Sequence, residues 1–305
     1  MGNPDQTKRI ERPAQPPWMR VKLPLTIGRG NSTAAQTRKV VRDGSLHTVC
    51  EEAACPNLGH CWNQGTATFM IMGDRCTRRC SFCDIQTARP LALDPSEPER
   101  LANAIQQLQL QHAVITSVDR DELKDCGSKH FADCIRTVKA QNPGTIVEVL
   151  IPDFKARPEN LQRVFDAQPH IINHNVETVP SLFNTICPQS NYRNSLSVLA
   201  QSRAAGFVTK SGLILGLGEE LEEVRQVIGD LASIPIDMLT IGQYLQPGAA
   251  NTNQGRFLEP QIFADLKVWA QAAGIQLVES GPLVRSSYHA RDSWIAIQKI
   301  FRLQG

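Results

Sequence analysis

The stretch TATFMIMGDRCTRRCSFCDI, residues 66–85, joins an apolar segment directly to three closely spaced cysteines. Its first part, TATFMIMG, is apolar on both faces, which predicts a strand buried in a sheet. Its second part places Cys76, Cys80 and Cys83 in a C-x3-C-x2-C pattern. Thiols at such spacing, without other signs of a disulfide framework, are typical of a metal site. We therefore expect a metal centre in the loop that follows this strand.

Composition and charge exclude several classes of protein. The chain has 305 residues with 32 basic and 30 acidic side chains, and this balance gives no case for nucleic-acid or membrane binding. No apolar run approaches the roughly 20 residues that span a bilayer. The N-terminal residues also lack the apolar core of a signal peptide. These features predict a cytoplasmic protein, in which clustered thiols are more often metal ligands than disulfides.

From residue 66 onward, strand and helix patterns alternate in six successive units. Such alternation is typical of an α/β fold with a parallel sheet, either doubly wound or curled into a barrel. Polar residues gather where the predicted strands end, in TSVDRDEL, IPDF, HNVET and QYLQP. Because barrel active sites lie at the carboxyl ends of the strands, this placement favours an incomplete (β/α)6 TIM-like barrel. IQLVES could add one more strand, and Ser96 is a predicted cap of the first helix.

A second group of cysteines precedes the predicted barrel. Cys50, Cys55 and Cys61 follow a C-x4-C-x5-C pattern, so six of the nine cysteines fall within residues 50–83. Zinc usually takes four ligands in a structural site. His60 could help to complete such a site with the first group, and the second group alone could be a zinc loop, which would suit a binding protein without catalysis. A cubane iron–sulfur cluster held by three thiolates keeps one iron open to an outside ligand. Two such groups close together favour iron–sulfur clusters over zinc. The spacing of the cysteines alone does not exclude zinc.

The first group resembles the signature of the radical SAM superfamily, in which C-x3-C-x2-C follows the first strand of a partial barrel. The resemblance implies a 4Fe-4S cluster held by Cys76, Cys80 and Cys83. Its open iron would bind the amino and carboxylate groups of S-adenosylmethionine. Arg78 and Arg79 could lower the thiol pKa values and balance the charge of the cluster, or they could form a solvated basic loop.

Both groups together, in this order, resemble the lipoyl synthase family. The resemblance covers nearly the whole chain and includes CEEAACPNLGHCW, ITSVDRDEL, NHNVETV, TKSGLILGLGE and GPLVRSSYHA. It implies that radicals from two S-adenosylmethionine molecules remove hydrogen from C6 and C8 of an octanoyl chain on a carrier lysine. A second 4Fe-4S cluster, held by Cys50, Cys55 and Cys61, would supply the sulfur. Its fourth ligand is expected to be Ser286, with Ser287 as the alternative.

The resemblance also implies which residues contact the cofactor. They lie in the first cysteine loop and where predicted strands end or begin, and each could instead make ordinary strand-end hydrogen bonds. The expected contacts are Phe82, Ser117, Asp119, Asn175, Glu177 and Lys210.

Three regions and several partners are expected on the same ground. Residues 1–63 form an N-terminal extension with the second cysteine group, residues 64–280 the partial barrel, and residues 281–305 a C-terminal extension with the RSSY segment. The expected protein partners are an octanoylated lipoyl carrier domain or the glycine cleavage H protein. The expected electron donor is a flavodoxin or a ferredoxin.

Two segments depart from the family pattern. In residues 184–191 the arginines expected near Thr185 and Cys187 are missing, and within residues 248–255 the sequence NTNQ replaces an expected His-Leu-Pro-Val-like run. These departures are expected to leave the clusters untouched. An alternative interpretation is that the chain is a divergent second copy, that is, a radical SAM sulfurtransferase that acts on another acyl chain or carrier. The cysteines outside both groups are expected to be scattered, buried side chains without a metal role: Cys126, Cys134 and Cys187.

Overall fold

The apolar segments of the sequence become the strands of one large sheet. The computed structural model describes residues 15–19, 33–53, 55–246 and 255–304. In these residues the strands are β1 (His47–Thr48), β2 (Thr66–Ile71), β3 (Arg75–Cys76), β4 (Gln86–Thr87), β5 (His112–Ser117), β6 (Ile146–Leu150), β7 (Ile171–Asn173), β8 (Val208–Leu215), β9 (Met238–Gln243) and β10 (Leu277–Gly281). The α-helices are α1 (Thr33–Asp43), α2 (Val49–Glu52), α3 (Leu58–Asn63), α4 (Glu97–Gln107), α5 (Ser128–Gln141), α6 (Pro158–Asp166), α7 (Phe183–Ile186), α8 (Tyr192–Ala204), α9 (Leu221–Ser233), α10 (Pro260–Ala272) and α11 (Ala290–Gln304).

The sheet is an open, mostly parallel barrel. Eight strands follow the order β1-β2-β5-β6-β7-β8-β9-β10, and neighbours from β2 to β10 run parallel. Only β1, which pairs with β2, is antiparallel in this sheet. The edge strands β1 and β10 do not pair with each other, so one side of the barrel is open. The predicted α/β fold with an incomplete barrel is confirmed, and β10 is the additional strand.

The helices lie where the amphipathic patterns predict them. All residues of β2 and β9 are buried, as expected of strands covered on both faces. One of these helices is α5 (Ser128–Gln141), whose apolar side includes the fully buried Phe131 and Ile135. Ser96 precedes α4, but its hydroxyl donates to Asp94 Oδ1 at 2.7 Å instead of capping the helix. No described helix is long and apolar enough to cross a membrane.

A buried carboxylate fixes the end of β2. The Glu97 carboxylate accepts hydrogen bonds from Met72 N, at 2.9 and 3.1 Å, and from His130 Nε2 at 2.6 Å. Cys134 lies one turn beyond His130 and completes a buried trio whose ligand atoms are within 4.8 Å of one another. Because three hydrogen bonds already occupy the carboxylate, we interpret the trio as a brace. It holds the chain in place immediately before the first cysteine loop.

The chain after β10 crosses the open side of the barrel. Asn57 Nδ2 donates to Leu283 O at 2.6 Å, and Thr68 Oγ1 donates to Ser287 Oγ at 2.9 Å. Gly242 makes this crossing sterically feasible, since a Cβ there would lie 2.2 Å from Val284 O. The C-terminal segment thereby reaches both β2 and the region of the second cysteine group.

A polar network lies in the middle of the barrel. Lys210 Nζ is 2.9 Å from Glu148 Oε1, and His112 Nε2 is 3.0 Å from Glu148 Oε2. All three side chains are almost completely buried. Burial alone would raise the pKa of Glu148, but Lys210 and His112 more than offset it and lower that pKa to about 2. The carboxylate is therefore charged and depends on its partners.

Removing the ammonium from this network should be costly. We expect Lys210→Met to lower the free energy of unfolding by about 3–5 kcal/mol, because the buried Glu148 charge loses its ammonium partner and keeps only weaker ones such as His112. Urea denaturation of the cluster-free, reduced protein measures the change. The exposed pair Lys129–Asp133 provides the control, and Lys129→Met should cost less than about 1 kcal/mol. Equal losses for both variants would contradict this account of the network.

Candidate functional site

A small parallel ladder forms the first cysteine loop. β3 and β4 pair so that Arg75 faces Gln86 and Cys76 faces Thr87. Cys80 and Cys83 lie in the loop between these two strands. The predicted strand β2 therefore leads through a second, very short strand into the loop, a feature too short to recognise from sequence.

Three carboxylates anchor this loop to the barrel through Arg78. The Arg78 guanidinium lies 2.7 Å from Asp121 Oδ2, 2.7 Å from Asp153 Oδ1 and 3.3 Å from Asp119 Oδ1. Asp119 and Asp121 follow β5, whereas Asp153 follows β6. Burial opposes the charge on Arg78, but the three carboxylates raise its pKa above its ordinary value. Arg78 is thus buried and links the loop to the barrel through its ion pairs. It does not form a solvated basic loop.

The thiols of the loop are protonated in the cluster-free protein. Burial, and then the nearby Asp119 carboxylate, raise the pKa of Cys76 to about 12. Arg78 does lower this pKa, through the hydrogen bond from its backbone N–H, but burial and Asp119 outweigh that effect. The Cys76 sulfur accepts backbone hydrogen bonds from Arg78 N at 3.4 Å and Asp119 N at 3.3 Å. These donors suit a thiolate, which a bound metal would generate.

The separation of the thiols bears on the choice of metal. Tetrahedral zinc with Zn–S bonds of about 2.3 Å holds its thiolates roughly 3.8 Å apart. In the described residues, which include all six cysteines, neither triad has its three sulfurs within 4.8 Å of one another. A cubane cluster spreads its thiolates further, because each binds an iron at a different corner. The unligated thiols are therefore further apart than a zinc ion would hold them.

The departing segment 184–191 packs directly on this loop. Ser81 N donates to Ile186 O at 2.8 Å. The next residue, Cys187, is buried, and its nearby thiol raises the pKa of Cys80. The segment therefore contacts the cysteine loop, and the expectation that its departure leaves the clusters untouched stays a prediction. Cys187 is buried, as expected. Cys126 and Cys134 are buried, as expected.

At the carboxyl end of the barrel, Glu177 is held in a strained conformation. Its φ is +70°, in the region that favours glycine. Backbone bonds to β8 fix it, with Glu177 N donating to Gly212 O at 3.0 Å and Ile214 N donating to Glu177 O at 2.8 Å. Asn175 Nδ2 donates to Glu177 Oε1 at 3.1 Å, and Gly212 leaves room for the amide, since a Cβ there would lie 2.6 Å from Asn175 Oδ1. Such strain, maintained by surrounding structure, marks functional positions.

Several polar atoms at this end have no protein partner. Asn175 Oδ1, Glu177 Oε2 and Ser117 Oγ are buried and make no hydrogen bond within the part of the chain described. Burial raises the pKa of Glu177 to about 7, although the Asn175 hydrogen bond opposes this. Buried acceptors without donors are costly unless a ligand supplies them. Ribose hydroxyls and an amino group are such donors, so these residues fit S-adenosylmethionine.

The other expected cofactor contacts lie in different settings. Phe82 is half-buried and packs, with Cys80, against the apolar core of the second half of the barrel. Asp119 lies beside the first cysteines, but its carboxylate is engaged by Arg78 and lies 3.6 Å from the Cys76 sulfur. Lys210 is not brought to this site, because its amine is held by Glu148 in the middle of the barrel.

The second cysteine group forms one compact site. Burial is the main cause that raises the pKa of Cys50 to about 11, and nearby Cys55 adds to it. Burial is also the main cause that raises the pKa of Cys61 to about 12, and Cys50 and Cys55 add to it. The three thiols are thus close enough to interact electrostatically. Thr68 on β2 lies near Cys50 and partly offsets the rise of its pKa, and the Thr68 hydroxyl donates to Ser287. The predicted group is therefore assembled at β2.

The RSSY segment covers this group. The Tyr288 and His289 rings stack at 3.8 Å, and both lie against His60, at 5.9 and 5.6 Å between ring centroids. His60 is therefore engaged in ring packing. Ser287 Oγ accepts a hydrogen bond from Thr68, whereas Ser286 Oγ makes no hydrogen bond with the described residues. Ser286 is the serine that remains available.

A buried glutamate organises the loop after β8, a role the sequence analysis missed. The Glu219 carboxylate accepts hydrogen bonds from Gly216 N at 2.7 Å and Leu217 N at 2.8 Å. Arg256 Nη2 donates to Glu219 O at 2.5 Å. The chain directly after segment 248–255, which departs from the family pattern, therefore packs on this loop. Residues 251–254 lie outside the described residues. The closely spaced glycines beside Glu219 were the sequence feature from which its role in this loop could have been predicted.

Comparison with known proteins identifies the family of the chain. The sequence profile described as Radical SAM superfamily matches residues 70–231. Lipoyl synthase of Leptospira interrogans serogroup Icterohaemorrhagiae serovar Lai is 48% identical over 92% of this chain and 94% of that protein. Lipoyl synthase of Leptospira biflexa serovar Patoc is 51% identical over 90% of this chain and 89% of that protein. The chain belongs to the lipoyl synthase family.

Solved structures agree on the fold of this lipoyl synthase family member. The crystal structure of methylornithine synthase superposes with a TM-score of 0.53 over 81% of this chain and 82% of that chain. The two sequences are 13% identical, so this likeness concerns the fold alone. Membership of the radical SAM superfamily implies a 4Fe-4S cluster and S-adenosylmethionine as cofactors.

The raised pKa of Glu177 predicts a pH dependence of stability. The pKa of Glu177 in the folded chain, about 7, exceeds its ordinary value of 4.5. Between pH 4.5 and 7 the folded chain therefore retains a proton that the unfolded chain releases. Stability contributed by Glu177 therefore falls as pH rises from about 4.5 to 7. We expect Glu177→Gln to remove this component, measured as the difference between variant and parent in urea denaturation across that window. Glu99→Gln, at an exposed position, should follow the parent; if Glu177→Gln did so too, the assignment would fail.

Proposed function

We propose that this chain is a lipoyl synthase that inserts sulfur at C6 and C8 of a protein-bound octanoyl-lysine chain. The observation that carries the proposal is the assembly of two separate cysteine groups at one strand, β2. One group follows its end, and the other contacts Thr68 within it. A reaction that removes hydrogen and adds sulfur at the same carbon needs both centres near one substrate. Identity of 48–51% to named lipoyl synthases supports the same activity.

In this proposal the first site binds S-adenosylmethionine and one cluster. Cys76, Cys80 and Cys83 are the thiolate ligands, and Asn175 and Glu177 accept hydrogen bonds from the cofactor. When bound, cluster and cofactor together supply a 5′-deoxyadenosyl radical that abstracts hydrogen. The chain's own part is to hold the cofactor at the barrel mouth and to exclude water there.

The second site holds the sulfur-donating 4Fe-4S cluster through Cys50, Cys55 and Cys61. Ser286 is proposed as the fourth ligand, supported by its position beside this group and by the engagement of Ser287 with Thr68. A serine oxygen is a harder donor than a thiolate and binds such an iron less tightly. A weakly held ligand suits a cluster that gives up sulfur.

The substrate carrier and the electron donor belong to the same proposal. An octanoylated lipoyl carrier domain or the glycine cleavage H protein would present the acyl chain, and a flavodoxin or ferredoxin would deliver electrons. We propose a cytoplasmic setting for this exchange. The packing of the departing segment 184–191 on the first cysteine loop favours a second candidate, a paralogue that sulfurates another acyl chain or carrier.

Mass spectrometry after an anaerobic turnover tests the proposal. The mixture contains reconstituted protein, S-adenosylmethionine, dithionite and an octanoyl-lysine carrier peptide. We expect the peptide to exchange two hydrogens for two sulfurs. Formation of 5′-deoxyadenosine with an unchanged peptide would reject this substrate and favour the paralogue.

Variants in the two cysteine groups separate the roles of the two sites. Cys76→Ala should abolish 5′-deoxyadenosine formation, because the first cluster loses a ligand. Cys55→Ala should retain cofactor cleavage but yield no sulfurated peptide. Cys134→Ala, a buried thiol outside both groups, should behave as the parent. A dithiolated product from Cys55→Ala would show that the sulfur comes from elsewhere.

The serine assignment gives a further expected outcome. Ser286→Ala should reduce sulfur insertion by more than the roughly 10- to 100-fold typical of outer-shell changes at metal sites. Ser287→Ala should retain insertion and lose only its hydrogen bond with Thr68, at a cost of about 1 kcal/mol. Product yield and iron content per chain are the two measurements. A larger loss in Ser287→Ala would reverse the assignment.

A further inference from the structure

The buried trio Glu97, His130 and Cys134 combines three side-chain types that bind zinc in proteins. A carboxylate, an imidazole and a thiol each place one ligand atom within 4.8 Å of the other two. Tetrahedral bonds of about 2.0–2.3 Å hold such atoms roughly 3.3–3.8 Å apart. Small rotations of the side chains therefore suffice to bring the three atoms to one ion. No other such group is found among the described residues.

Local structure explains why these three side chains meet. His130 and Cys134 are four residues apart on α5, so they lie on the same face of that helix. Paired ligands at this spacing on one helix are a known way of holding zinc. Glu97 is the first residue of α4, which packs against α5. One helix thus supplies two ligand atoms and its neighbour supplies the third.

The Cys134 thiol has no other polar partner. Its side chain is fully buried, and its sulfur makes no hydrogen bond within the part of the chain that the structure describes. Burial, followed by the charge of Glu97, raises the pKa of Cys134, so the thiol keeps its proton without a metal. A bound cation displaces this proton to solvent and gains an anionic ligand.

A cation can bind here while the brace on β2 is kept. Two of the three hydrogen bonds on the Glu97 carboxylate come from the single N–H of Met72, which reaches both oxygens. The third joins Glu97 Oε2 to His130 Nε2 at 2.6 Å, and only this one is replaced. The imidazole proton then moves to Nδ1, the other ring nitrogen. Met72 N still donates to Glu97 Oε1.

A surface cleft gives an ion access to the trio. The cleft reaches His130 and is also lined by Pro98, Glu99, Lys129 and Asp133. A metal site needs such an entry path. The same opening admits a water molecule, which can complete a tetrahedral site that has three protein ligands.

We propose that Glu97 Oε2, His130 Nε2 and Cys134 Sγ form a binding site for a single zinc ion, separate from both cysteine groups. The mixture of one thiolate with nitrogen and oxygen donors suits zinc among the common divalent cations. The ion joins α4 to α5 and reinforces the brace that precedes the first cysteine loop. This inference does not depend on the proposed function, and turnover without added zinc stays unchanged.

Zinc loading of the anaerobically reconstituted full chain tests the proposal, because the clusters then occupy the cysteines of both groups. The protein is equilibrated with zinc chloride, freed of unbound ion by gel filtration, and analysed for zinc and iron. X-ray absorption at the zinc edge then identifies the ligands. We expect one zinc ion per chain, with one sulfur neighbour at about 2.3 Å and nitrogen or oxygen as the others.

Matched variants assign the sulfur neighbour. Cys134→Ala and the nearly isosteric Cys134→Ser should both lose the zinc–sulfur signal and most of the bound zinc, at unchanged iron content. Cys126→Ala removes another buried thiol outside both groups and should bind zinc as the parent does. The ligand count of the parent tests the site even where a variant proves unstable.

Four outcomes would overturn the inference. A parent chain that retains no zinc removes its basis. Three sulfur neighbours at the zinc would place the ion in a cysteine group instead of the trio. A zinc–sulfur signal that persists in Cys134→Ala would show that another thiol is the ligand. Equal loss of zinc in Cys126→Ala and Cys134→Ala would show that the loss is not specific to the site.

Discussion

The ion pairs of Arg78 are the constraint on which the first site depends. This single buried guanidinium joins the cysteine loop to the ends of β5 and β6 through Asp121 and Asp153. A loop with three reactive thiols gains no fixed shape from its own short ladder. Since an unpaired buried charge costs several kcal/mol, the arginine and its carboxylates stabilise the loop only as a complete set. The loop is therefore fixed before any metal binds, which lowers the ordering cost of metal binding.

The open side of the barrel explains how the two ends of the chain meet. The edge strands β1 and β10 are not paired, and the segment after β10 crosses the gap between them and reaches Thr68. The second cysteine group contacts the same threonine from the N-terminal side. The missing strand pairing thus provides the space in which residues more than 200 positions apart form one site.

Sequence patterns predicted the strands, the helices and both cysteine groups because these depend on local periodicity and spacing. They could not predict the partners of Arg78 or Cys187, since those contacts join segments distant in the sequence. Lys210 shows a related limit, because a polar residue within a strand can face the strand ends or the barrel centre. The two serines also differ only in the structure, where Ser287 accepts a hydrogen bond from Thr68, and this difference supports the proposal of Ser286 as the ligand.

Strand β2 couples the two proposed centres through its own rigidity. Thr68 contacts the second group, and Ile71 ends the strand three residues later, about 10 Å along an extended chain. The Glu97–His130 brace then fixes Met72 directly before the first loop. Neither centre can move far relative to the other without breaking buried hydrogen bonds. In the proposed reaction a substrate carbon held between the two centres would be accessible to both, as hydrogen removal followed by sulfur addition at one carbon requires.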